Sequence, residues 1–293
     1  MKDYNYTPDL EEINRNIDRL TCEMGQIFHP EMLKTFFSLM DLTTLKPSDT
    51  VATVTALVQK VNGLKTAYPD WPLPASVCVY PNFAATVAAV REDPSLHVTT
   101  VASCFPSAQS FLSVKMAECT LAVENGADEI DIVLALSSFL AGDYEAAGNE
   151  IASMRRCIDE AAARQGRSVV MKVILETGLL VKPEAIAEAS FLAMENGADF
   201  IKTSTGKVEI NATPVAAWVM CECIRRFYER TGRKVGFKAA GGISTAADAV
   251  CYYTIGKTVL GEEWLNKKLF RFGVSRLGNS LISAAEQQTV TYF

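Results

Sequence analysis

The sequence predicts an α/β protein, and three observations favour an eight-stranded parallel barrel, the (β/α)8 or TIM barrel. Short apolar runs alternate with amphipathic helical patterns along the chain, as in parallel β/α units. Eight such runs can be identified, and polar residues recur at their carboxyl ends, where barrel enzymes carry their active sites. A doubly wound sheet also fits the alternation, so the number of runs and their polar ends decide in favour of the barrel.

The eight runs are separated by segments long enough for a helix. They comprise residues 37–42, 75–81, 97–105, 128–135, 168–176, 199–205, 234–242 and a weaker run at 257–261. One intervening segment, 214–232, has a proline in its first turn and a glycine after its last, as helices commonly do. Residues 1–35 are polar with a helical pattern. We therefore expect an N-terminal helical extension over 1–35, a single barrel domain over 36–288, and a candidate mobile tail over 289–293.

Composition excludes several classes of function. The chain has 293 residues, of which 49% are hydrophobic and 21% charged, so it can bury a large core. Its net charge of −6 argues against nucleic acid or an anionic membrane as the main partner. Long apolar stretches, a signal-peptide core, CxxC pairs and histidine clusters are absent. We therefore expect a cytoplasmic protein with reduced cysteines, no metal and no cofactor, in which His29 and His97 lie at the surface or at element ends.

Charged residues interrupt five of the apolar runs. Side chains alternate between the two faces of a strand, and the aliphatic neighbours of these residues should take the face that the helices cover. The charged side chains should then converge inside the barrel near its carboxyl rim. They are Asp41, Asp131, Lys172, Lys202 and Lys238. Structural salt bridges would explain them, but three ammonium groups against two carboxylates also leave positive charge for an anionic substrate.

Such a cluster suits amine catalysis. A lysine that is desolvated and crowded by a second ammonium has a lowered pKa, because both effects penalise its charged form. The neutral amine can attack a carbonyl group and form a Schiff base. A nearby carboxylate, or a water that it holds, can then move the protons.

Three glycine-containing turns predict a phosphate site. They are STGK at 204–207, AAGGIS at 239–244 and FGVSR at 272–276. Glycine-rich turns that lead into helices after the last barrel strands often bind phosphate through backbone N–H groups. One such turn alone is usually only a turn, but three at these positions indicate a phosphorylated substrate.

Taken together, eight motifs resemble the deoxyribose-phosphate aldolase family from about residue 38 to about residue 280. They are DLTTL (41–45), VCVYP (77–81), GADEIDIV (126–133), KVILETG (172–178), GADFIKTSTGK (197–207), NATP (211–214), VGFKAAGG (235–242) and RFGVS (271–275). The resemblance implies a barrel that reversibly cleaves 2-deoxy-D-ribose 5-phosphate to acetaldehyde and D-glyceraldehyde 3-phosphate without a cofactor, in deoxyribose phosphate catabolism. Another Schiff-base phosphosugar aldolase and a catalytically silent phosphosugar-binding barrel are the alternatives.

The resemblance also implies roles for individual residues. Lys202 corresponds to the Schiff-base lysine, Lys238 to the lysine that perturbs it, and Asp131 to the aspartate that relays protons. Further residues match the family's substrate and phosphate positions. They are Asp41, Thr43, Cys78, Lys172, Thr205, Gly206, Lys207, Gly241, Gly242, Ser244, Gly273, Ser275 and Arg276. The implied partners are a phosphorylated sugar and aldehydes, and dimers, common in the family, make a homodimer a further expectation.

Two features depart from the family pattern or extend it. Ser244 stands where members often carry a basic residue, and we hypothesise that Arg276 replaces the missing charge. Some members have a mobile C-terminal tyrosine that enters the site and assists proton abstraction. Tyr292 is the candidate for that role here, the alternative being a disordered tail with incidental aromatic residues.

Overall fold

The structure, a computed structural model, describes residues 4–23 and 29–293 and confirms the predicted barrel. Eight parallel strands pair in sequence order, and the last pairs with the first to close the cylinder. The strands are β1 (Met40–Thr43), β2 (Ser76–Val79), β3 (His97–Val101), β4 (Glu129–Val133), β5 (Val170–Ile174), β6 (Phe200–Lys202), β7 (Gly236–Ala240) and β8 (Phe270–Val274).

Helices surround the barrel and fill the connections between strands. They are α1 (Leu10–Glu23), α2 (Pro30–Ser38), α3 (Val51–Asn62), α4 (Leu64–Ala67), α5 (Ala84–Val90), α6 (Leu112–Glu124), α7 (Leu136–Leu140), α8 (Tyr144–Arg164), α9 (Thr177–Leu180), α10 (Pro183–Glu195), α11 (Pro214–Thr231), α12 (Ala246–Leu260) and α13 (Leu277–Glu286). Two short 3₁₀ helices lie at Pro81–Phe83 and Glu262–Trp264.

Strand register decides which side chains meet inside the barrel. Lys202 on β6 is aligned with Lys238 on β7, and Asp131 on β4 is aligned with Lys172 on β5. Aligned residues on neighbouring parallel strands point to the same side of the sheet, so each pair projects inward together. The alternate residues, such as Ile201, are fully buried in the hydrophobic core beneath the helices.

The predicted eighth strand at 257–261 is wrong. Residues 257–260 form the last turn of α12, and the eighth strand is Phe270–Val274. Helix α12 begins at a capping box in which Thr245 and Asp248 each accept a backbone N–H from the other. The apolar residues that follow are buried along one continuous helix, whereas the alternation of Phe270 and Phe272 with Arg271 is that of a true strand.

The N-terminal segment packs on the outside of the barrel. Helix α1 contacts α11 and α12, while α2 packs against α13 with Phe36 and Phe37 completely buried. Ahead of α1, the ring of Tyr4 stacks on Phe191 of α10 with 4.1 Å between ring centroids. Residues 1–3 and 24–28 of the predicted extension lie outside the described residues.

Candidate active site

Asp131 is the centre of a buried ionic cluster inside the barrel. Its Oδ2 accepts hydrogen bonds from Lys202 Nζ at 2.9 Å and from Lys238 Nζ at 2.8 Å. Its Oδ1 accepts one from Lys172 Nζ at 2.8 Å. Lys238 also donates to Asp41, so all five charged residues predicted to converge do so. Four of the five are fully buried, namely Asp41, Asp131, Lys172 and Lys238, whereas Lys202 is 4% exposed.

A second layer of charge, which was not predicted from the sequence, lies closer to the amino ends of the strands. Glu129 Oε2 lies 2.5 Å from Lys172 Nζ, and Glu129 Oε1 accepts from Arg271 Nη2 at 2.7 Å. Arg271 also donates to Asp41 Oδ1 at 2.5 Å. Glu129 shares the inward face of Asp131 two residues on, which was a usable signal. Arg271 was hidden because the eighth strand was misplaced.

The three carboxylates of the cluster are held ionised. Burial alone would raise the pKa of Asp131, but the attraction of Lys172, Lys202 and Lys238 holds it well below its usual value. Glu129 is likewise desolvated, yet Lys172 and Arg271 keep its pKa well below normal. Asp41 follows the same pattern, with a pKa that its cationic neighbours lower against the effect of burial.

The cations divide into two kinds. Burial would lower the pKa of Lys238 and Lys172, but the neighbouring carboxylates outweigh it, so the pKa of both is raised. The pKa of Arg271 is raised for the same reason. Lys202 alone of the four has a lowered pKa, because burial and the Lys238 ammonium together outweigh its contact with Asp131. Three persistent cations thus match three carboxylates, and Lys202 is the base that can lose its proton.

A cavity of about 270 Å³ opens above this cluster at the carboxyl ends of the strands. Lys202 is the one member of the cluster that lines it. The remaining lining comes from the carboxyl ends of β1, β7 and β8 and from the loops after β1, β6, β7 and β8. It consists of Thr43, Thr44, Leu45, Lys46, Thr205, Gly206, Lys207, Ala240, Gly241, Gly242, Ile243, Gly273, Val274, Ser275 and Arg276. The cavity therefore joins the reactive amine to the predicted phosphate turns.

One wall of the cavity, formed by the turns after β6, β7 and β8, has the features of an anion site. Gly206, Gly241 and Gly242 have φ values of 78°, 87° and 83°, a region that glycine enters without strain. Helix α13 begins directly after Arg276, which lines the cavity, so the positive end of this helix lies at the cavity, and no side chain caps it. The turns and the helix end can therefore present backbone N–H groups to a phosphate.

Two lysines and a glycine complete the arrangement. Lys207 reaches across the cavity mouth and donates to the Leu45 carbonyl at 2.5 Å. Lys46, which is not among the predicted site residues, lines the same cavity and is exposed. On β8, a Cβ added to Gly273 would lie 2.8 Å from Ala240 Cβ and 3.0 Å from Lys238 Cε, so a side chain at this position would crowd the strand that carries Lys238.

Not every predicted residue reaches the cavity. The Cys78 thiol is fully buried among the charged cluster, and burial raises its pKa. Ser244 does not line the cavity; its backbone N–H donates to Asp248 at 2.9 Å, next to the cap of α12. Arg276 does line it, as the hypothesis of a displaced positive charge requires.

The structure does not bring Tyr292 to the cavity. The tail runs back along α13, where Asn279 Oδ1 accepts the backbone N–H of Tyr292 at 3.0 Å and that of Phe293 at 2.9 Å. The Tyr292 hydroxyl donates to the Lys60 carbonyl at 2.7 Å, and its ring packs edge-on against Tyr68. These contacts hold the hydroxyl outside the barrel wall.

The described residues contain no cluster of three or more side chains suited to hold a metal ion. Among the same residues, none of the helices combines the length and apolar character needed to cross a membrane. The seven cysteines whose side chains are described are all free thiols.

This fold, with a desolvated lysine beside an anion-binding cavity, defines a barrel enzyme that acts on a small anionic substrate. Residues 35–275 match the DeoC/LacD family of aldolases, and the chain belongs to that family, which makes it a lyase. The resemblance drawn from its motifs is confirmed.

Individual relatives agree with this membership. The deoxyribose-phosphate aldolase of Mus musculus is 41% identical over 261 residues, covering 86% of this chain and 78% of the mouse protein. The Agrobacterium fabrum enzyme of the same name is 39% identical over 239 residues, covering 81% and 85%. The solved deoxyribose phosphate aldolase of Aeropyrum pernix, described as tetrameric, has a TM-score of 0.67 and 25% identity, covering 94% of this chain and 98% of that one.

Proposed function

We propose that this protein is a class I aldolase that reversibly cleaves 2-deoxy-D-ribose 5-phosphate to acetaldehyde and D-glyceraldehyde 3-phosphate through a Schiff base on Lys202. The observation that carries the proposal is the position of Lys202. Its amine is the one charged group of the buried cluster that opens into the cavity, and its pKa is lowered. The names of the mouse and Agrobacterium relatives support the choice of substrate.

The reaction begins when the neutral Lys202 amine attacks the C1 aldehyde of the open-chain sugar. The resulting carbinolamine loses water and becomes an iminium ion, which draws electrons from the bond between C2 and C3. That bond breaks as the C3 hydroxyl gives up its proton, and glyceraldehyde 3-phosphate leaves. The enamine left on Lys202 takes a proton at C2, and water then releases acetaldehyde.

The electrostatics of the cluster assign the proton carriers. Asp131 is ionised and can accept a proton, directly or through a water, whereas Lys238 is protonated and can donate one. Lys202 and Lys238 both donate to Asp131 Oδ2, so the proton acceptor and the proton donor lie next to the reactive amine. A proton taken up by Asp131 can therefore return to the carbinolamine or the enamine without crossing the cavity.

The glycine turns and the start of α13 would hold the substrate phosphate at the far wall of the cavity. This contact places C1 at Lys202 and makes the phosphate a positioning group. Lys207, Lys46 and Arg276 supply positive side chains around it, against an overall molecular charge of −6.

The same proposal extends to the setting of the reaction. Breakdown of deoxyribose phosphate in the cytoplasm would fit free thiols in every cysteine side chain described. A homodimer stays a prediction, and Tyr292 stays a candidate only if the tail leaves its present contacts.

Trapping of the Schiff base tests the proposal. The protein is incubated with acetaldehyde and sodium borohydride, digested, and mapped by mass spectrometry. We expect an N-ethyl group on Lys202 of the wild-type protein and no such group at position 202 in Lys202→Met. The control variant is Lys65→Met, which replaces an exposed lysine outside the cavity. In this control the N-ethyl group on Lys202 should persist.

The alternatives give different results in the same experiment. A catalytically silent barrel would bind inorganic phosphate yet yield no adduct on Lys202. Another Schiff-base aldolase would give an adduct with its own carbonyl substrate, such as dihydroxyacetone phosphate, and would fail to release acetaldehyde from 2-deoxyribose 5-phosphate.

A further inference from the structure

Beneath the reactive lysine lies the buried pair Glu129 and Arg271, to which the proposed reaction gives no part. We propose that these two are positioning residues, which act in opposite directions on how strongly Asp131 holds the Lys202 amine, by fixing the carboxylate that each interior cation contacts. The inference rests on the proposed function of Lys202. Neither residue lines the cavity, so neither can touch the substrate. Their influence on Lys202 is electrostatic, exerted directly and through Lys172, Asp41 and Asp131.

Glu129 is fully buried and engages three positively polarised groups. Its carboxylate lies 2.5 Å from Lys172 Nζ, 2.7 Å from Arg271 Nη2 and 2.7 Å from His97 Nδ1. Thr99 donates a longer hydrogen bond of 3.3 Å to it. A carboxylate in this position holds Lys172 from below, while Asp131 holds the same ammonium from above.

Arg271 connects the carboxylate of Glu129 to that of Asp41. Its guanidinium is 3% exposed and spans Glu129 and Asp41, with Nη1 2.5 Å from Asp41 Oδ1. Its Nε donates to the Lys267 carbonyl, which fixes the plane of the group. By occupying Oδ1 of Asp41, Arg271 leaves Oδ2 of that carboxylate to Lys238.

This division of contacts determines how far Asp131 is available to Lys202. Lys172 is shared by Glu129 and Asp131, and Lys238 is shared by Asp41 and Asp131. Without the charge of Glu129, Lys172 keeps Asp131 at 2.8 Å and the more distant Asp41 at 3.8 Å, so it depends more on Asp131 and competes with Lys202 for it. Without the charge of Arg271, Glu129 and Asp41 can take more of Lys172 and Lys238, which frees Asp131 for Lys202.

Both indirect effects have the same sign as the direct Coulomb effect. Removing the negative charge of Glu129 favours the neutral amine of Lys202, and removing the positive charge of Arg271 favours its ammonium form. The charged and titratable groups that face Lys202 are Asp131, Lys238 and the Cys78 thiol. Those that face Glu129 are Lys172, Arg271 and His97, whose side chain is 39% exposed.

The test uses two neutral variants and two that conserve charge. They are Glu129→Gln, Arg271→Gln, Glu129→Asp and Arg271→Lys. The pH dependence of kcat/KM for cleavage of 2-deoxyribose 5-phosphate has an acid limb that reports deprotonation of the free enzyme's essential amine. We expect Glu129→Gln to move this limb to lower pH and Arg271→Gln to move it to higher pH, each by about one pH unit.

The remaining variants separate a charge effect from a packing effect. Glu129→Asp and Arg271→Lys should leave the limb near its wild-type position even where kcat falls, and the double variant Glu129→Gln/Arg271→Gln should return it there. A limb that stays in place in both neutral variants, or moves in one direction in both, overturns the inference. If Arg271→Gln does not fold, the contrast between Gln and Asp at Glu129 decides.

Failure of the inference can be told from failure of the proposed function. If wild-type protein neither cleaves the sugar nor forms the Lys202 adduct, the proposed function is wrong. If wild-type protein does both and the neutral variants keep its pH profile, only the positioning role is wrong.

Discussion

Two segments of this barrel share the sequence ENGAD, residues 124–128 before β4 and 195–199 before β6, and they build the same local structure. In each, a helix ends two residues before a glycine in the left-handed region, with φ of 97° at Gly126 and 100° at Gly197. Asp128 then accepts the backbone N–H of Val98 on β3, and Asp199 accepts that of Met171 on β5, both at 2.9 Å. The shared residues therefore fix how each strand enters the barrel.

The difference between the two units begins with the first residues of the strands. In each strand the first and third positions point inward, and they hold Glu129 and Asp131 on β4 but Phe200 and Lys202 on β6. The two ENGAD segments place their strands alike, so the third residues of β4 and β6 reach the same depth in the barrel. They meet there, with 2.9 Å between Asp131 Oδ2 and Lys202 Nζ. A repeated scaffold thus brings an acid and a base together across 71 residues of chain.

The largest effects are expected where the two units differ in chemistry. Lys202→Met should lower turnover by at least about 10⁴-fold, because it removes the nucleophile. Asp131→Asn should lower it by about 10²- to 10⁴-fold, because it removes a proton carrier. Asp131 favours the charged form of Lys202, so its loss lowers the lysine's pKa further and leaves a neutral amine. The two variants should therefore differ in whether acetaldehyde and borohydride form an adduct on residue 202.

Measurement of turnover and of borohydride trapping on the same samples separates them. We expect the adduct to be abolished in Lys202→Met and retained in Asp131→Asn, with circular dichroism used to show that both are folded. Wild-type turnover in Asp131→Asn, or an undiminished adduct in Lys202→Met, would contradict the division of roles between the two units.

Much of this comparison could be predicted from sequence, because it depends on short-range periodicity. Alternation within one strand places Asp131 or Lys202 on the inner face without knowledge of the rest of the fold. The count of eight runs then selects the barrel, although only seven of those runs are strands and the eighth strand lies at Phe270–Val274. The same alternation also predicts Glu129 as an inward residue, because it lies two positions before Asp131 on the same face of β4.

Other features depend on contacts that no local pattern contains. The run at 257–261 is apolar enough for a strand, and only its continuity with the capped helix α12 decides its structure. Arg271 could be placed inside the barrel only after β8 had been located at Phe270–Val274. The position of Tyr292 is fixed by Asn279 and by the carbonyl of Lys60, 232 residues distant in sequence.

An intermediate effect is expected at the turn that leaves β6, since the chain after β4 has no equivalent of it. In this turn, residues 204–207, the last three residues line the cavity together with Arg276. Arg276→Ala should raise KM for 2-deoxyribose 5-phosphate by roughly 10-fold, the loss of one exposed charge contact to phosphate, and leave KM for free deoxyribose nearly unchanged. Steady-state kinetics with both sugars provide the measurement. Equal changes for the two sugars would show that Arg276 does not contact the phosphate.

The smallest effects are expected where the two units are alike. Asp128 contacts Arg91 at 2.5 Å and Arg167 at 3.5 Å and has a side chain 25% exposed, whereas Asp199 contacts Arg155 at 3.0 Å and is 44% exposed. We expect Asp128→Ala to lower the free energy of unfolding by about 2 kcal/mol and Asp199→Ala by about 1 kcal/mol, because each loses charged hydrogen bonds and the second is better solvated.

Urea denaturation gives these free energies, and turnover measured under native conditions provides the matched control. Neither aspartate touches the cavity or the Lys202 cluster, so kcat should stay within about twofold of wild type in both variants. A large loss of kcat with unchanged stability would mean that the shared residues take part in the chemistry itself. Retained activity with graded destabilisation would instead confine the chemistry to the third residue after each aspartate, where the two units differ.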